Sequence, residues 1–271
     1  MNNIIFGLYN GYNSLKTEKG GIFYFMKSLR KYDNNCKVVI LCEKRFLFDE
    51  LTSFSKEMNF EIYTDFGIFG NNDDIFLMMY YRFFIYKKYL NDSRELFEKV
   101  LLTDISDVIF QESPFTIKFT EDLYCASEIN KFSDDSYSSY LNRYWIDEIN
   151  VLLNKNNNEN YINKNVICAG TILGTCQGIL NYLDFFANIQ KQKIVNDQGL
   201  LNYFVYNDNT ISKTVNKIPH SNSKILTLDN VSFESLDKDE NQYIINKKGE
   251  KYSIIHQINR CNFNFMLSLV D

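Results

Sequence analysis

VLLTDISDVIF, residues Val100 to Phe110, joins two apolar runs through a turn that holds two acids. Val100 to Thr103 has the length and residue types of a short strand buried on both faces. Asp104 and Asp107 fall where that strand ends, and Val108 to Phe110 then resumes the apolar pattern. A carboxylate buried without compensation protonates or acquires a partner. A divalent cation is a general partner for two hard oxygen ligands in one turn. The carboxyl ends of strands in open α/β sheets are also where ligands bind. A plain turn, with Asp104 or Ser106 capping the next segment, fits the spacing equally well, so the flanking chain has to decide.

Upstream, Asn3 to Tyr9 (NIIFGLY) predicts a first buried strand, followed by the polar loop NGYNSLKTEKGG. Ile22 to Lys31 has helical periodicity, Cys36 to Cys42 (CKVVILC) reads as a second buried strand, Phe46 to Asn59 as a helix and Phe60 to Tyr63 as a third strand. This β-loop-α-β-α-β order opens a mostly parallel sheet with helices on both faces. No GxGxxG follows the first strand, which disfavours a dinucleotide fold. Ile75 to Leu90 (IFLMMYYRFFIYKKYL) predicts an apolar helix with Arg82 alone in its middle. A guanidinium cannot shed its charge there. It either snorkels or pairs structurally, or it is aimed at an acidic site or a phosphate.

Downstream, Leu123 to Glu128 (LYCASE) reads as a strand ending in an acid, Asn130 to Tyr144 as a partly polar segment, and Trp145 to Leu153 as a helix. The Asn/Lys-rich tract from Asn154 to Asn165 predicts an exposed loop. Asn165 to Thr175 (NVICAGTILGT) predicts a strand broken at Gly170, where backbone can approach a ligand. Gln177 to Gln190 reads as a helix, and Asn196-Asp197-Gln198 as the start of another running to Val205. Lys224 to Leu228 and Tyr243 to Asn246 read as short strands of a more polar region, and Ser253 to His256 as a last apolar strand followed by Gln257 and Arg260.

The bulk properties narrow the function classes. The chain has 271 residues, 45% of them hydrophobic and 16% aromatic, enough for a large core and against disorder. A net charge of −5 with interspersed signs leaves no basic footprint, so nucleic acid is excluded as a partner. Six scattered cysteines with no CxxC pair argue against a zinc site or a disulfide framework and fit a reducing cytosol. The sequence carries no signal-peptide pattern and no run of about 18 apolar residues. A cytoplasmic protein is expected, with peripheral membrane association left open.

Taken in order, the Arg82 helix, the TDISD turn, AGTILGT, NDQGLLN and the terminal HQINR resemble a nucleotide-sugar glycosyltransferase of the GT-A type. The likeness is to family-eight-like enzymes, the group of glycogenin and the bacterial lipopolysaccharide galactosyltransferases. The subgroup in view writes its acidic motif TDxxDVxFQxxPF, which TDISDVIFQESPF (Thr103 to Phe115) matches closely. The resemblance spans about Asn3 to Arg260. It implies an α/β fold with a mostly parallel, Rossmann-like sheet flanked by helices and a smaller mixed C-terminal acceptor region. One domain over 1–271 is expected, with a nucleotide-binding half at about 1–115 and a sugar and acceptor half at about 116–271.

Site roles come from the same resemblance. Asp104 matches the first metal-binding aspartate of the family's Asp-X-Asp motif. The second falls at Ser106, so Asp107 is taken as the next ligand, directly or through water. His256 matches the late histidine that completes the metal site, although on its own a histidine at a strand end is more often structural. Arg82 matches the arginine that reaches the donor sugar or its phosphates. Ala169 and Gly170 match an Asn-Ala-Gly segment lining the sugar, with Cys168 in place of the asparagine. Asp197 and Gln198 match an Asp-Gln pair near the anomeric carbon. Tyr9, Asn10 and Asn13 stand where the family holds its uridine, and Thr103, Ile105 and Ser106 join the donor-binding set with the acidic turn. Arg260 adds a cation for phosphate, and Glu128 is assigned to orienting or deprotonating an acceptor hydroxyl, with a structural ion pair as its alternative.

The resemblance therefore implies Mn2+ or Mg2+, a UDP-sugar donor, a glycan acceptor and a retaining outcome. Carboxylates with an imidazole suit Mn2+ at least as well as Mg2+, and such an ion offsets the charge of a departing diphosphate. Two other readings stand beside it. A sugar-phosphate nucleotidyltransferase shares related topology but needs a Gly-rich, basic loop that NGYNSLKTEKGG does not match. A non-catalytic sugar-binding relative would explain Ser106 and Cys168.

Overall fold

Alternating burial along a few apolar runs produces the two faces of the central sheet. Strand β1 (Asn2–Tyr9) sends Ile4, Phe6 and Leu8 to one face and Ile5 and Tyr9 to the other. β2 (Lys37–Cys42) divides its side chains the same way. Neither face can meet water, so helices cover both. Helices α1 (Ile22–Tyr32) and α2 (Asp49–Glu57) close one side; α3 (Ile75–Asp92), α5 (Cys176–Gln190) and α6 (Asp197–Asn207) close the other. The computed structural model describes residues 2–9, 14–17, 20–64, 75–155, 161–207, 215–218, 220–228 and 235–260.

The remaining strands of the main sheet are β3 (Glu61–Tyr63), β4 (Phe97–Thr103), β6 (Leu123–Lys131), β7 (Asn165–Thr175) and β8 (Val215–Ile218). Their order is β3-β2-β1-β4-β7-β6-β8. Every pairing is parallel except those of β7, which runs antiparallel to both β4 and β6. The mixed α/β fold with a mostly parallel sheet flanked by helices is the one expected from the sequence.

A second, three-stranded sheet forms from β5 (Val108–Phe110), β9 (Ile225–Thr227) and β10 (Ile254–His256), in the order β5-β10-β9. One face packs Val108, Phe110, Ile225 and Ile254 onto the α1 side of the main sheet; the other carries Ile109, Leu226 and Ile255 in a small core of its own. Val108 pairs with His256, so the acidic turn between β4 and β5 is brought beside the end of β10.

The local differences from the sequence reading have physical causes. Helix α4 spans Tyr137–Leu152 rather than starting at Trp145, because Ser136 accepts the Ser139 N–H as an N-cap and starts the helix two turns early. Strand β7 runs continuously through Gly170, but its register with β6 shifts between Ile167 and Ile172, so the irregularity expected there lies in the ladder and is not a break in the strand. Likewise β6 continues past Glu128 to Lys131. The expected helix from Phe46 divides into a 3-10 turn at Lys44–Phe46 and α2 proper. Tyr243 to Asn246 makes only isolated bridges, Lys238 with Ile244 and Ile245 with Lys251. Among the described residues no helix is long and apolar enough to cross a membrane.

Candidate metal and donor site

Asp104 leaves the carboxyl end of β4 with its N–H still in the ladder, donating to the Gly170 carbonyl at 2.9 Å. That bond fixes the carboxylate against β7. The turn beyond it is pinned from the other side, where the Ser106 carbonyl accepts the Gly21 N–H at 2.7 Å. Ile105 points back into the core beneath Gly7, where any Cβ would collide with its methyl group. With Ile105 buried, Asp107 turns toward β10, and its carbonyl accepts the Ile258 N–H at 3.1 Å.

Three ligand atoms then converge. His256 Nε2 lies 3.5 Å from Asp104 Oδ2 and 3.7 Å from Asp107 Oδ1. One ligand atom from each of the three residues fits within 4.8 Å of the others. These separations exceed a hydrogen bond and leave room between the groups. Asp107 Oδ1 is buried with no hydrogen-bond partner among the described residues, an expensive arrangement unless something else binds it. Two hard carboxylates and one imidazole fit a divalent cation with bonds of about 2.1–2.5 Å after a small closing movement.

Charge is balanced on the far side of Asp104. Arg82, from the middle of α3, donates through Nη1 to Asp104 Oδ1 at 2.8 Å and through Nη2 to Asp197 Oδ2 at 3.0 Å. The guanidinium is therefore paired and does not snorkel to solvent, a pairing that both the structural reading and the acidic-site reading allow. Burial opposes the guanidinium charge, but Asp104 and Asp197 more than compensate and raise its pKa. Burial would raise Asp104 in turn, yet Arg82 and His256 hold it well below the usual carboxylate range. Asp107 is pushed up by burial and by the like charge of Asp104. Burial disfavours a charged His256, but Cys168 at Nδ1 and the two carboxylates outweigh it and raise its pKa.

Gly170 is where β7 passes closest. A Cβ there would stand 2.2 Å from His256 Cε1, 2.5 Å from His256 Nε2 and 2.8 Å from Asp104 Oδ2. Next to it, the Ala169 N–H donates to Gln198 Oε1 at 3.4 Å. Gln198 Nε2 reaches Asn142 Oδ1 at 3.1 Å and the buried Glu128 Oε1 at 3.5 Å. Asp197 and Gln198 open α6, whose start is capped by the Asn196 side chain accepting the Gly199 N–H, so Asp197 lies in a first turn that favours negative charge.

Sequence reasoning thus named residues that meet in two adjoining groups. Asp104, Asp107, His256, Arg82, Asp197 and Gly170 form one; Glu128, Ala169 and Gln198 form the other, with Arg260 lining the cleft beside Glu128 and Gln198. Ser106 lends the turn its carbonyl, and Asp107, not Ser106, stands with Asp104 and His256. Thr103 spends its hydroxyl on the Asp104 carbonyl at 3.0 Å, and Tyr9 donates its own to the Ser14 carbonyl at 3.2 Å. Asn10 and Asn13 lie outside the described residues. Asn142 and Asn202 were missed. Asn202 brackets Ile167 on β7, accepting its N–H at 2.7 Å and donating to its carbonyl at 2.8 Å. Their one signal was an amide within an apolar helical pattern.

No protein-family model and no curated protein matches the chain. Among solved structures it is similar to the apo form of WbbM, a bifunctional glycosyltransferase, at 14% identity and a TM-score of 0.58. The match covers 98% of this chain and 49% of that one, so the chain spans about half the length of WbbM. At this identity the likeness shows the fold, which is of the GT-A glycosyltransferase kind.

Proposed function

We propose that the protein is a metal-dependent glycosyltransferase that moves a sugar from a nucleotide diphosphate sugar, a UDP-sugar in the first instance, to a hydroxyl of a glycan acceptor, with retention. The single observation that carries this reading is the convergence of Asp104, Asp107 and His256 from two different sheets. Asp104 and His256 are the direct ligands in this reading, with Asp107 supplying the third. When bound, a Mn2+ or Mg2+ ion supplies Lewis-acid neutralisation of the departing diphosphate.

The chain's own side chains divide the remaining work. Arg82 holds Asp104 and Asp197 apart in fixed orientations, at 2.8 and 3.0 Å. Asp197 stabilises positive charge near the anomeric carbon, as carboxylates do in glycoside hydrolysis. Gln198 and the backbone at Ala169 and Gly170 line the donor sugar. Glu128 orients or deprotonates the acceptor hydroxyl, and Arg260 meets phosphate at the cleft mouth. Uridine lies against the loop after β1, by Tyr9, Asn10 and Asn13, with Thr103, Ile105 and Ser106 contributing backbone. The halves at about 1–115 and 116–271 serve donor and acceptor within one domain, and the work is placed in cytoplasmic synthesis of glycan or cell-surface polysaccharide.

The test is a panel of nucleotide sugars incubated with Mn2+, reading release of nucleoside diphosphate. Release that EDTA abolishes and Asp104→Ala removes is the expected result. Donor binding by calorimetry that neither EDTA nor Asp104→Ala changes would overturn the metal role. Pyrophosphate release from a nucleoside triphosphate and sugar phosphate would instead favour a nucleotidyltransferase.

A further inference from the structure

A cleft of about 470 Å3 opens beside Glu128 and Gln198, on the α4 side of the site. That volume is within the range of small-molecule sites. Its floor is polar and converges on Gln198, which holds Glu128 and Asn142 together. Trp145 and Tyr137 of α4 line its wall, and Arg260 its rim. Trp145 is anchored from behind: a Cβ on Gly199 would stand 2.5 Å from Trp145 Cβ, so α6 presses directly against it. One acid and one base line the cleft, so it carries no net charge; hydroxyls, amides and aromatic rings make up most of the rest.

The exposed face of α4 continues this lining. Tyr137, Tyr140 and Tyr144 are 76%, 56% and 53% exposed, and steps of three and four residues put them on one helical stripe. Tyr137 belongs to both the stripe and the cleft wall. Over about 10 Å of helix the stripe runs beside the cleft, whose lining follows α4 from Ser136 to Trp145. Tyrosine rings give a flat apolar face with a polar tip at little entropic cost, which suits the C–H face and hydroxyl rim of a sugar ring. A small acceptor would use the cleft and leave the stripe idle.

We propose that the cleft takes the terminal pyranose of the acceptor, and that Tyr140 and Tyr144 hold the next sugars of an uncharged glycan chain lying along α4. This rests on the transferase reading above. It assigns the acceptor to the class of neutral oligosaccharides rather than to a short glycoside or an anionic polymer.

Trp145 is the single tryptophan of the chain, so its fluorescence reports the cleft directly. The protein is titrated with gluco-, galacto- and mannohexaose and with the corresponding monosaccharides, while nucleotide-sugar hydrolysis with Mn2+ is measured on the same preparation. The expected result is a fluorescence change with at least one hexaose, with affinity about threefold to tenfold above its monosaccharide for each stacked ring. Tyr140→Ala/Tyr144→Ala, on an exposed face where folding is insensitive, loses that gain with chain length. An emission unmoved by every hexaose, or a length gain intact in the double variant, overturns the proposal. Hydrolysis without any oligosaccharide response overturns the glycan track alone. A length-dependent response with no nucleotide sugar hydrolysed supports the track and overturns the transferase reading.

Discussion

Arg82 is buried among apolar side chains yet meets two carboxylates at once, which makes it a positioning group for both. Arg82→Leu leaves Asp104 and Asp197 with uncompensated charge. Because Asp104 keeps 31% exposure of its side chain, the loss is set at or below about 3 kcal/mol, under that of a fully buried pair. Urea denaturation measures it, and a midpoint unchanged from the natural protein would contradict the double pairing. Asp107 and Ser106 separate more cleanly: Asp107→Asn should weaken Mn2+ binding by at least tenfold, whereas Ser106→Ala, which keeps the carbonyl bonded to Gly21, should not. Isothermal calorimetry reads both. The same experiment tests pH. The pKa of His256 is raised by Cys168 and the two acids against the pull of burial, and a cation has to displace that proton. Mn2+ affinity therefore rises with pH until the raised value is passed, and below that value about one proton is released per ion bound. For the metal-free fold the sign is opposite. Stability from the charged imidazole is full below its ordinary value and lost as pH climbs through the raised one.

Strand β7 is the element on which both groups of site residues depend, since it supplies Gly170 to one and Ala169 to the other. Gly170→Ala should displace His256 and Asp104 and abolish Mn2+ binding. Gly249→Ala, where φ is +76 and nothing stands within 4 Å, should cost only the left-handed strain of about 1 kcal/mol. Asn202→Leu should destabilise by about 2–4 kcal/mol, because the buried N–H and carbonyl of Ile167 lose their partner; hydrogen exchange at Ile167 reports it locally. These features also show what was legible beforehand. Apolar runs such as VLLT and KVVILC declare buried strands, and acids after them declare a strand end. The start of α4 was not legible, because Ser136 and the polar residues after it look like a loop until the cap is seen. The continuity of β7 through Gly170 was hidden for a related reason. The register with β6 shifts across Gly170, and the strand is carried past it on the other side by Asp104, which follows β4 and whose N–H donates to the Gly170 carbonyl.

At the scale of the molecule, the candidate centre joins the large sheet to the small one: Asp104 extends β4, while His256 ends β10. A bound ion should stabilise the whole fold by about 2.7 kcal/mol at a concentration of about 100 times its Kd. The thermal midpoint should rise with Mn2+ in the natural protein and stay fixed in Asp104→Ala. The paired carboxylates were readable in one stretch of sequence; their imidazole was named only through the family resemblance, because nothing local links residues that fold together only through β5 and β10. Asp104 and His256 stand more than half the chain length apart. During synthesis the acidic turn leaves the ribosome well before its histidine does, so a nascent chain that has exposed only the turn still lacks one of the three groups of the candidate centre.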